Sequence, residues 1–80
     1  MNIAVVKSAT LGAVGYDAER GILQLEFRSS AVYSYFGVPG SVYEGLLAAP
    51  SKGGYFNRAI RGHFPHSRVP DTRIGLRGEA

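Results

Sequence analysis

The chain has 80 residues, a formal net charge of +3 and no cysteine. This length suits one small domain, and the absence of thiols excludes disulfide bonds and thiolate zinc sites. No apolar run approaches the roughly 20 residues that a membrane-spanning helix needs, so we expect a cytoplasmic protein without a membrane partner.

Three segments in the first half of the chain have the alternating apolar and polar pattern that is typical of β-strands. In the clearest of them, Leu23, Leu25 and Phe27 share one face, as expected for a sheet with one buried side. A β-branched run at residues 3–6 is either a fourth short strand or an ordered arm. The three predicted strands cover residues 10–17, 22–28 and 31–36.

Two helices are predicted after the strands. Pro39 suits a first helical position, and Pro50 ends this helix. Ser51 is the predicted N-cap of a second helix that runs to about Arg61, with Gly62 at its C-terminal end. Strands followed by helices indicate an α+β fold. We predict an antiparallel three-stranded meander, four-stranded if the N-terminal run pairs, with both helices packed on one face.

The last part of the chain differs from the rest in composition and charge. Repeated Pro and Gly interrupt every periodicity there, so we predict one domain over residues 1–62 and a basic, flexible tail over residues 63–80. Residues 1–50 hold three Lys and Arg against four Asp and Glu, whereas residues 51–80 hold six against two, a net charge of +4. A basic end indicates an anionic partner, although a solvated surface with a solubilising tail accounts for it equally well.

An ordered series of motifs over residues 7–62 resembles the KTSC domain family. This family comprises a module at the C-terminus of some lysyl-tRNA synthetases and stand-alone small bacterial and phage proteins. Its function is not established, and the attachment to a synthetase implies RNA binding only by association. The sequence departs from the family at the Ser29-Ser30 turn, where a glycine is expected, and after His63. The matching motifs are Gly15-Tyr16-Asp17, Leu23-x-Leu25-x-Phe27, Tyr33-Ser34-Tyr35, Val38-Pro39, Val42-Tyr43, Leu46-Leu47, Ala49-x-Ser51-x-Gly53-x-Tyr55-Phe56-Asn57 and Ile60-Arg61.

Two tyrosines and the start of the second helix are candidates for nucleic-acid contact. Tyr33 and Tyr35 lie on the same side of one predicted strand, where they either stack on bases or pack beneath the helices. The hairpin register, which sequence does not fix, decides between these alternatives. Ser51 and Lys52, followed by two glycines, form either a phosphate-binding helix start or an ordinary capped turn.

A basic cluster is predicted on the second helix. Arg58 and Arg61 are neighbours at positions i and i+3, and Lys52 belongs to the same helix. With Tyr55 close by, this surface fits nucleic-acid contact, or it is a solvated outer face. Asn57 either touches a ligand or links the helix to the sheet.

These patterns favour binding over catalysis. No catalytic constellation or nucleotide-binding glycine motif is evident, and His63 and His66 are a weak metal pair, so we predict no enzyme activity, metal or cofactor. The leading prediction is a non-catalytic nucleic-acid-binding module, with RNA such as tRNA as its partner. The alternative is a protein-protein interaction module in which the edge strand at residues 3–6 pairs with a partner's sheet or with a second copy.

Overall fold

The protein is described by a computed structural model that covers residues 2–6 and 8–69. Within these residues, five antiparallel strands form one sheet in the order β1-β2-β3-β4-β5. The strands are β1 (Asn2–Val5), β2 (Leu11–Asp17), β3 (Ile22–Phe27), β4 (Val32–Tyr35) and β5 (His66–Val69). Between β4 and β5 lie helix α1 (Gly40–Ala48), helix α2 (Lys52–Tyr55) and a π-helical segment (Phe56–Ile60) that continues α2.

The α+β class is confirmed, but the predicted strand count is wrong, because the sheet has five strands. The N-terminal run is a strand that pairs with β2, which is the four-stranded alternative. The fifth strand, His66–Val69, lies in the predicted tail. Residues 70–80 of that tail lie outside the described part of the chain, and the domain limits at residue 62 stay a prediction.

Pro65 explains why β5 was missed. A proline argues against a central strand because it cannot donate a ladder hydrogen bond, but it is tolerated just before an edge strand. The carbonyl of Pro65 accepts a hydrogen bond of 2.9 Å from the backbone N–H of Phe36, and the chain then pairs along the free edge of β4. His66–Val69 is therefore an edge strand of the described sheet.

The hairpin between β3 and β4 has a three-residue loop, not the two-residue turn that Ser29-Ser30 suggested. The Phe27 N–H donates to the carbonyl of Ala31 over 2.8 Å, and the Ser30 N–H donates back to Phe27 over 2.9 Å. Ser30 has a φ of 76°, the left-handed conformation that such loops need at their last position. A serine therefore stands where glycine is favoured.

The hydrophobic core lies between the sheet and the helices. Alternate residues of β2, β3 and β4 face α1 and the π-helical segment, so the predicted packing of the helices on one face holds. The Tyr16 and Tyr43 rings stack with centroids 4.7 Å apart, and the Tyr16 hydroxyl donates to the carbonyl of Val38 over 2.7 Å. This bond ties β2 to the entry of α1. The largest fully buried side chains of the described residues are Leu11, Val14, Leu23, Leu25, Val32, Val38, Leu46 and Ile60.

The register of β3 and β4 decides the face of the two central tyrosines. Tyr33 lies opposite Leu25, and Tyr35 lies opposite Leu23, so both tyrosines are on the helix-covered face. Tyr35 is only 5% exposed, and Tyr33 is half-buried against the core.

No helix in the described ranges has the length and apolar character to cross a bilayer.

Candidate nucleic-acid interface

The helix-covered face ends in an open pocket between the π-helical segment and β5. Four aromatic rings form its floor and walls, and the cationic side chain of Arg61 stands at its rim. The pocket has a volume of about 280 Å³. It is lined by Phe27, Tyr33, Tyr35, Phe56, Arg61, Gly62 and His66.

The rings of the pocket hold one another in place. Phe27 meets Tyr33 and Phe56 edge to face, with centroids 5.9 and 5.3 Å away. Tyr35 meets Phe56 in the same way at 5.9 Å and stacks on the His66 ring at 5.4 Å. Such edge-to-face and offset arrangements are the favoured geometries of aromatic pairs. Packing in and against the core therefore holds Phe27, Tyr33, Tyr35 and Phe56 in place.

The polar groups of the pocket are close enough to influence one another. Burial raises the pKa of Tyr35 above its ordinary value of 10.0, and the neighbouring Tyr33 phenol raises it further, while the Arg61 guanidinium lowers it. The Tyr35 hydroxyl therefore keeps its proton at neutral pH. No described residue forms a hydrogen bond with the hydroxyl of Tyr33 or Tyr35.

Lys52 and Ser51 have structural partners. The Lys52 ammonium donates to the carbonyls of Leu47 over 3.1 Å and Ala49 over 2.9 Å, at the C-terminal end of α1. The Ser51 hydroxyl accepts the N–H of Gly54 over 3.1 Å, which confirms its predicted position as N-cap. These contacts favour the reading of this segment as a capped turn between two helices.

Arg58 and Arg61 do not form the helical i, i+3 pair that the sequence suggested. The Arg61 N–H reaches back five residues to the carbonyl of Phe56 over 2.8 Å, and Arg61 itself is extended, with a ψ of 123°. This π-helical closure takes Arg61 out of the helix and to the pocket rim. Arg58 lies instead with its guanidinium 5.8 Å from the Tyr55 ring centroid, a cation–π contact. Asn57 is exposed on the same segment.

The structure thus divides the eight predicted residues into three groups. The pocket brings together Tyr33, Tyr35 and Arg61. Tyr55 and Arg58 form a separate pair on the helix, with Asn57 beside them. Ser51 and Lys52 cap helices.

Four residues of the pocket lining lie outside the predicted site. Phe27 was predicted on the apolar face of its strand, Phe56 was named only within a family motif, Gly62 was predicted as a helix end, and His66 was considered only as a metal ligand. Three polar residues precede Val69, so no alternation pointed to a strand, and only the pairing with β4 places His66 and Arg68 on one face of β5. Residues 2–6 and 8–69 contain no group of three or more side chains suited to hold a metal ion.

A comparison with known protein families identifies the family of this chain. Residues 7–64 match the family model of the KTSC domain. The chain belongs to the KTSC domain family. A KTSC domain protein from Yersinia pestis, solved by crystallography, superposes with a TM-score of 0.82 at 31% sequence identity, over 85% of this chain and 96% of that one.

Relatives of this KTSC domain occur both alone and inside a larger enzyme. An uncharacterised protein of Stutzerimonas stutzeri is 39% identical over 86% of this chain and 99% of its own length. A lysine–tRNA ligase of Nostoc punctiforme is 51% identical over 68% of this chain, but the match covers only 10% of the ligase. The domain therefore stands alone in some proteins and makes up about one tenth of such ligases.

Proposed function

We propose that this KTSC domain is a non-catalytic RNA-binding module. One observation carries the proposal: exposed Arg61 stands at the rim of an aromatic pocket, and no described carboxylate pairs with it. Cations combined with accessible aromatic rings are the usual equipment of proteins that bind single-stranded nucleic acid. The relationship to a segment of lysine–tRNA ligases supports RNA as the partner by association.

The module would bind through phosphate contacts of exposed arginines. Arg61 and the exposed Arg68 flank the pocket, since Arg68 lies opposite Tyr33 in the β4–β5 register. Arg58, held over Tyr55, adds a further exposed cation. The pocket lining contains no carboxylate that would repel a phosphate.

The test is a fluorescence-anisotropy titration of a labelled single-stranded RNA and a tRNA at two salt concentrations. The protein should bind less tightly as salt increases, because phosphate contacts release counterions. Replacing Arg58 and Arg61 together by Ala should weaken binding and reduce the magnitude of the salt slope by about two, since each phosphate contact contributes about one.

Arg20→Ala is the matched control. It also removes one arginine, but Arg20 is paired with Asp17 at 3.3 Å in the β2–β3 turn. Its RNA affinity should stay near that of the parent protein, apart from the general effect of net charge. Absence of RNA binding at low salt would contradict the proposal. Unchanged affinity in a folded Arg58/Arg61 double variant would contradict the residue assignment.

A protein-protein interaction module is the second candidate, favoured by the exposed edge strand β1. Val5 is 88% exposed and Ile3 is 45% exposed, and β1 is the end of the sheet within the described residues. Apolar, uncharged edges of this kind pair readily with other strands. A dimer detected by light scattering that persists at high salt and dissociates in Val5→Lys would favour this function.

A further inference from the structure

We infer that the aromatic pocket binds one nucleotide with an unpaired base, placing the base among the rings and the phosphate on Arg61. This inference rests on the proposed function and specifies which part of an RNA strand the module recognises. The pocket would bind a free mononucleotide in the same way, because a mononucleotide carries the same base and phosphate. The experiment below separates these two sources.

The size of the pocket limits its occupant to one base. Its volume of about 280 Å³ lies just below the range of about 300–1,000 Å³ that is typical of sites for drug-sized ligands. A single planar ring system fits a site of this size, whereas a stack of bases or a duplex does not. An unpaired base is therefore the suitable part of a nucleic acid.

The walls of the pocket match the face of a base. His66 is exposed, and its ring centroid lies 5.8 Å from that of half-buried Tyr33. Phe27 is half-buried as well, while Tyr35 and Phe56 are buried. Aromatic side chains stack on any base, since every base has a π-face. The accessible rings thus provide stacking surface without selecting strongly among bases.

The polar groups at the rim of the pocket favour a ligand that carries hydrogen-bond donors and acceptors as well as apolar surface. No hydrogen bond joins the hydroxyl of Tyr33 or Tyr35 to another described residue. A purely hydrocarbon ligand would cover them without replacing their bonds to water, which is costly. The edge of a base carries donors and acceptors for such hydroxyls, so a base satisfies both the rings and the rim.

The charge at the rim selects an anion. Arg61 is exposed beside the pocket, and its planar guanidinium suits two parallel hydrogen bonds to a phosphate. Burial and the Tyr33 phenol raise the pKa of the Tyr35 hydroxyl, and the Arg61 guanidinium acts in the opposite direction. A ligand that joins a flat ring to a phosphate meets all of these groups at once.

The experiment compares a labelled single-stranded oligoribonucleotide with the same backbone lacking every base. The intact strand should bind about 5- to 150-fold more tightly, which is the contribution expected of one stacked base. In parallel, AMP and UMP are titrated alone, with the aromatic NMR resonances of Tyr33 and His66 as the readout. Both mononucleotides should shift these resonances.

Variants assign the effect to the pocket. Tyr33→Val, checked for folding by circular dichroism, should remove most of the difference between intact and abasic strands. Arg61→Ala, at an exposed position where folding is not at risk, should weaken mononucleotide binding. Arg58→Ala should weaken both strands by the same factor and so preserve their ratio, and Arg20→Ala should change neither the ratio nor the mononucleotide titration.

Each outcome decides between the two proposals. Equal, salt-sensitive affinity for intact and abasic strands would overturn the pocket inference and leave RNA binding standing. Mononucleotide shifts at Tyr33 and His66 without binding of either strand would support the pocket and overturn RNA as the partner. Absence of any binding, to strands or mononucleotides, would overturn both.

Discussion

At the residue scale, the electrostatics of the pocket depend on three side chains. The Tyr35 phenol is buried, Tyr33 lies beside it with a ring centroid 6.5 Å away, and Arg61 stands at the rim. Burial and the Tyr33 phenol raise the pKa of Tyr35, and Arg61 opposes them. The neutral phenol and the cation are therefore both present at neutral pH, as recognition of a phosphate and a base edge requires.

Arg61→Ala should raise the pKa of Tyr35 further, because it removes the positive charge that favours the phenolate. The measurement is an alkaline titration of phenolate absorbance, with Tyr35→Phe used to assign the transition. Since the pKa of Tyr35 is higher in the folded state than its unfolded value of about 10.0, the folded protein binds more protons above that pH. The free energy of unfolding should fall as pH rises from the unfolded pKa through the folded one. A lower Tyr35 pKa in Arg61→Ala would contradict this account.

Ser30→Gly should stabilise the protein. Ser30 is exposed and has a φ of 76°, a conformation that costs an L-residue roughly 1–2 kcal/mol, whereas glycine adopts it freely. Part of this gain is offset by the larger entropy of glycine in the unfolded chain. We expect the free energy of unfolding to rise by about 0.5–1 kcal/mol, measured by urea denaturation.

Ser29→Gly is the control for this prediction. Ser29 lies in the same exposed loop, and it is not among the residues with positive φ. The free energy of unfolding of Ser29→Gly should fall by roughly a few tenths of a kcal/mol, because glycine raises the entropy of the unfolded chain. Equal effects of the two substitutions would show that loop flexibility, not the left-handed position, controls stability.

At the element scale, helix α1 packs against Tyr55 of α2 at Gly45. A Cβ added at Gly45 would lie 2.8 Å from Cζ of Tyr55 and would overlap its hydroxyl. Tyr55 packs against the core and supports Arg58, so it cannot move without loss of contacts. Although Ala is the better helix former by about 1 kcal/mol, we expect Gly45→Ala to destabilise the protein by about 1–2 kcal/mol through overpacking.

Two variants test whether the Tyr55 ring is responsible. Gly40→Ala adds the same methyl group to α1, but its Cβ lies 3.9 Å from the Tyr16 hydroxyl, an ordinary contact, so stability should stay level or rise. In a Tyr55→Phe background, which removes the overlapping hydroxyl, Gly45→Ala should cost less. Both comparisons use thermal and urea unfolding.

The β4–β5 ladder predicts that proline substitutions at two neighbouring positions of β5 destabilise the protein to different extents. Phe36 and Pro65 share a hydrogen bond, and hydrogen-bonded pairs alternate along antiparallel strands, so Ser67 is the next residue of β5 that donates to β4. Ser67→Pro should therefore lower the free energy of unfolding by about 2–3 kcal/mol. Arg68→Pro should cost much less, because its N–H points away from β4. Equal tolerance of both would mean that residues 66–69 do not form a strand in solution.

At the scale of the whole molecule, the aromatic pocket and the exposed β1 strand lie at opposite edges of one sheet. The helices cover one face and stop short of β5, and this gap leaves the aromatic pocket open beside Arg61. On β1, at the opposite edge of the described sheet, Val5 is the most exposed large apolar residue. The pocket and the β1 edge are thus separate surfaces, so nucleic-acid binding and strand pairing are independent hypotheses.

The sequence by itself determined the elements whose signals are local. Alternation predicted β2, β3 and β4, because one buried face imposes a period of two on each strand. The serine before α2 predicted its N-cap, since a hydroxyl there satisfies a free backbone N–H. The ordered motifs also indicated the KTSC family, which the family match over residues 7–64 confirms.

Only the tertiary structure decided the features that depend on distant partners. The pairing of His66–Val69 with β4 overrode the proline signal, because a free sheet edge tolerates a proline beside it. Register placed Tyr35 in the core, and the π-helical closure carried Arg61 away from Arg58 to the pocket. Lys52, an apparent phosphate ligand, caps α1. The pocket combines side chains from β3, β4, the π-helical segment and β5, and no sequence period spans such a set.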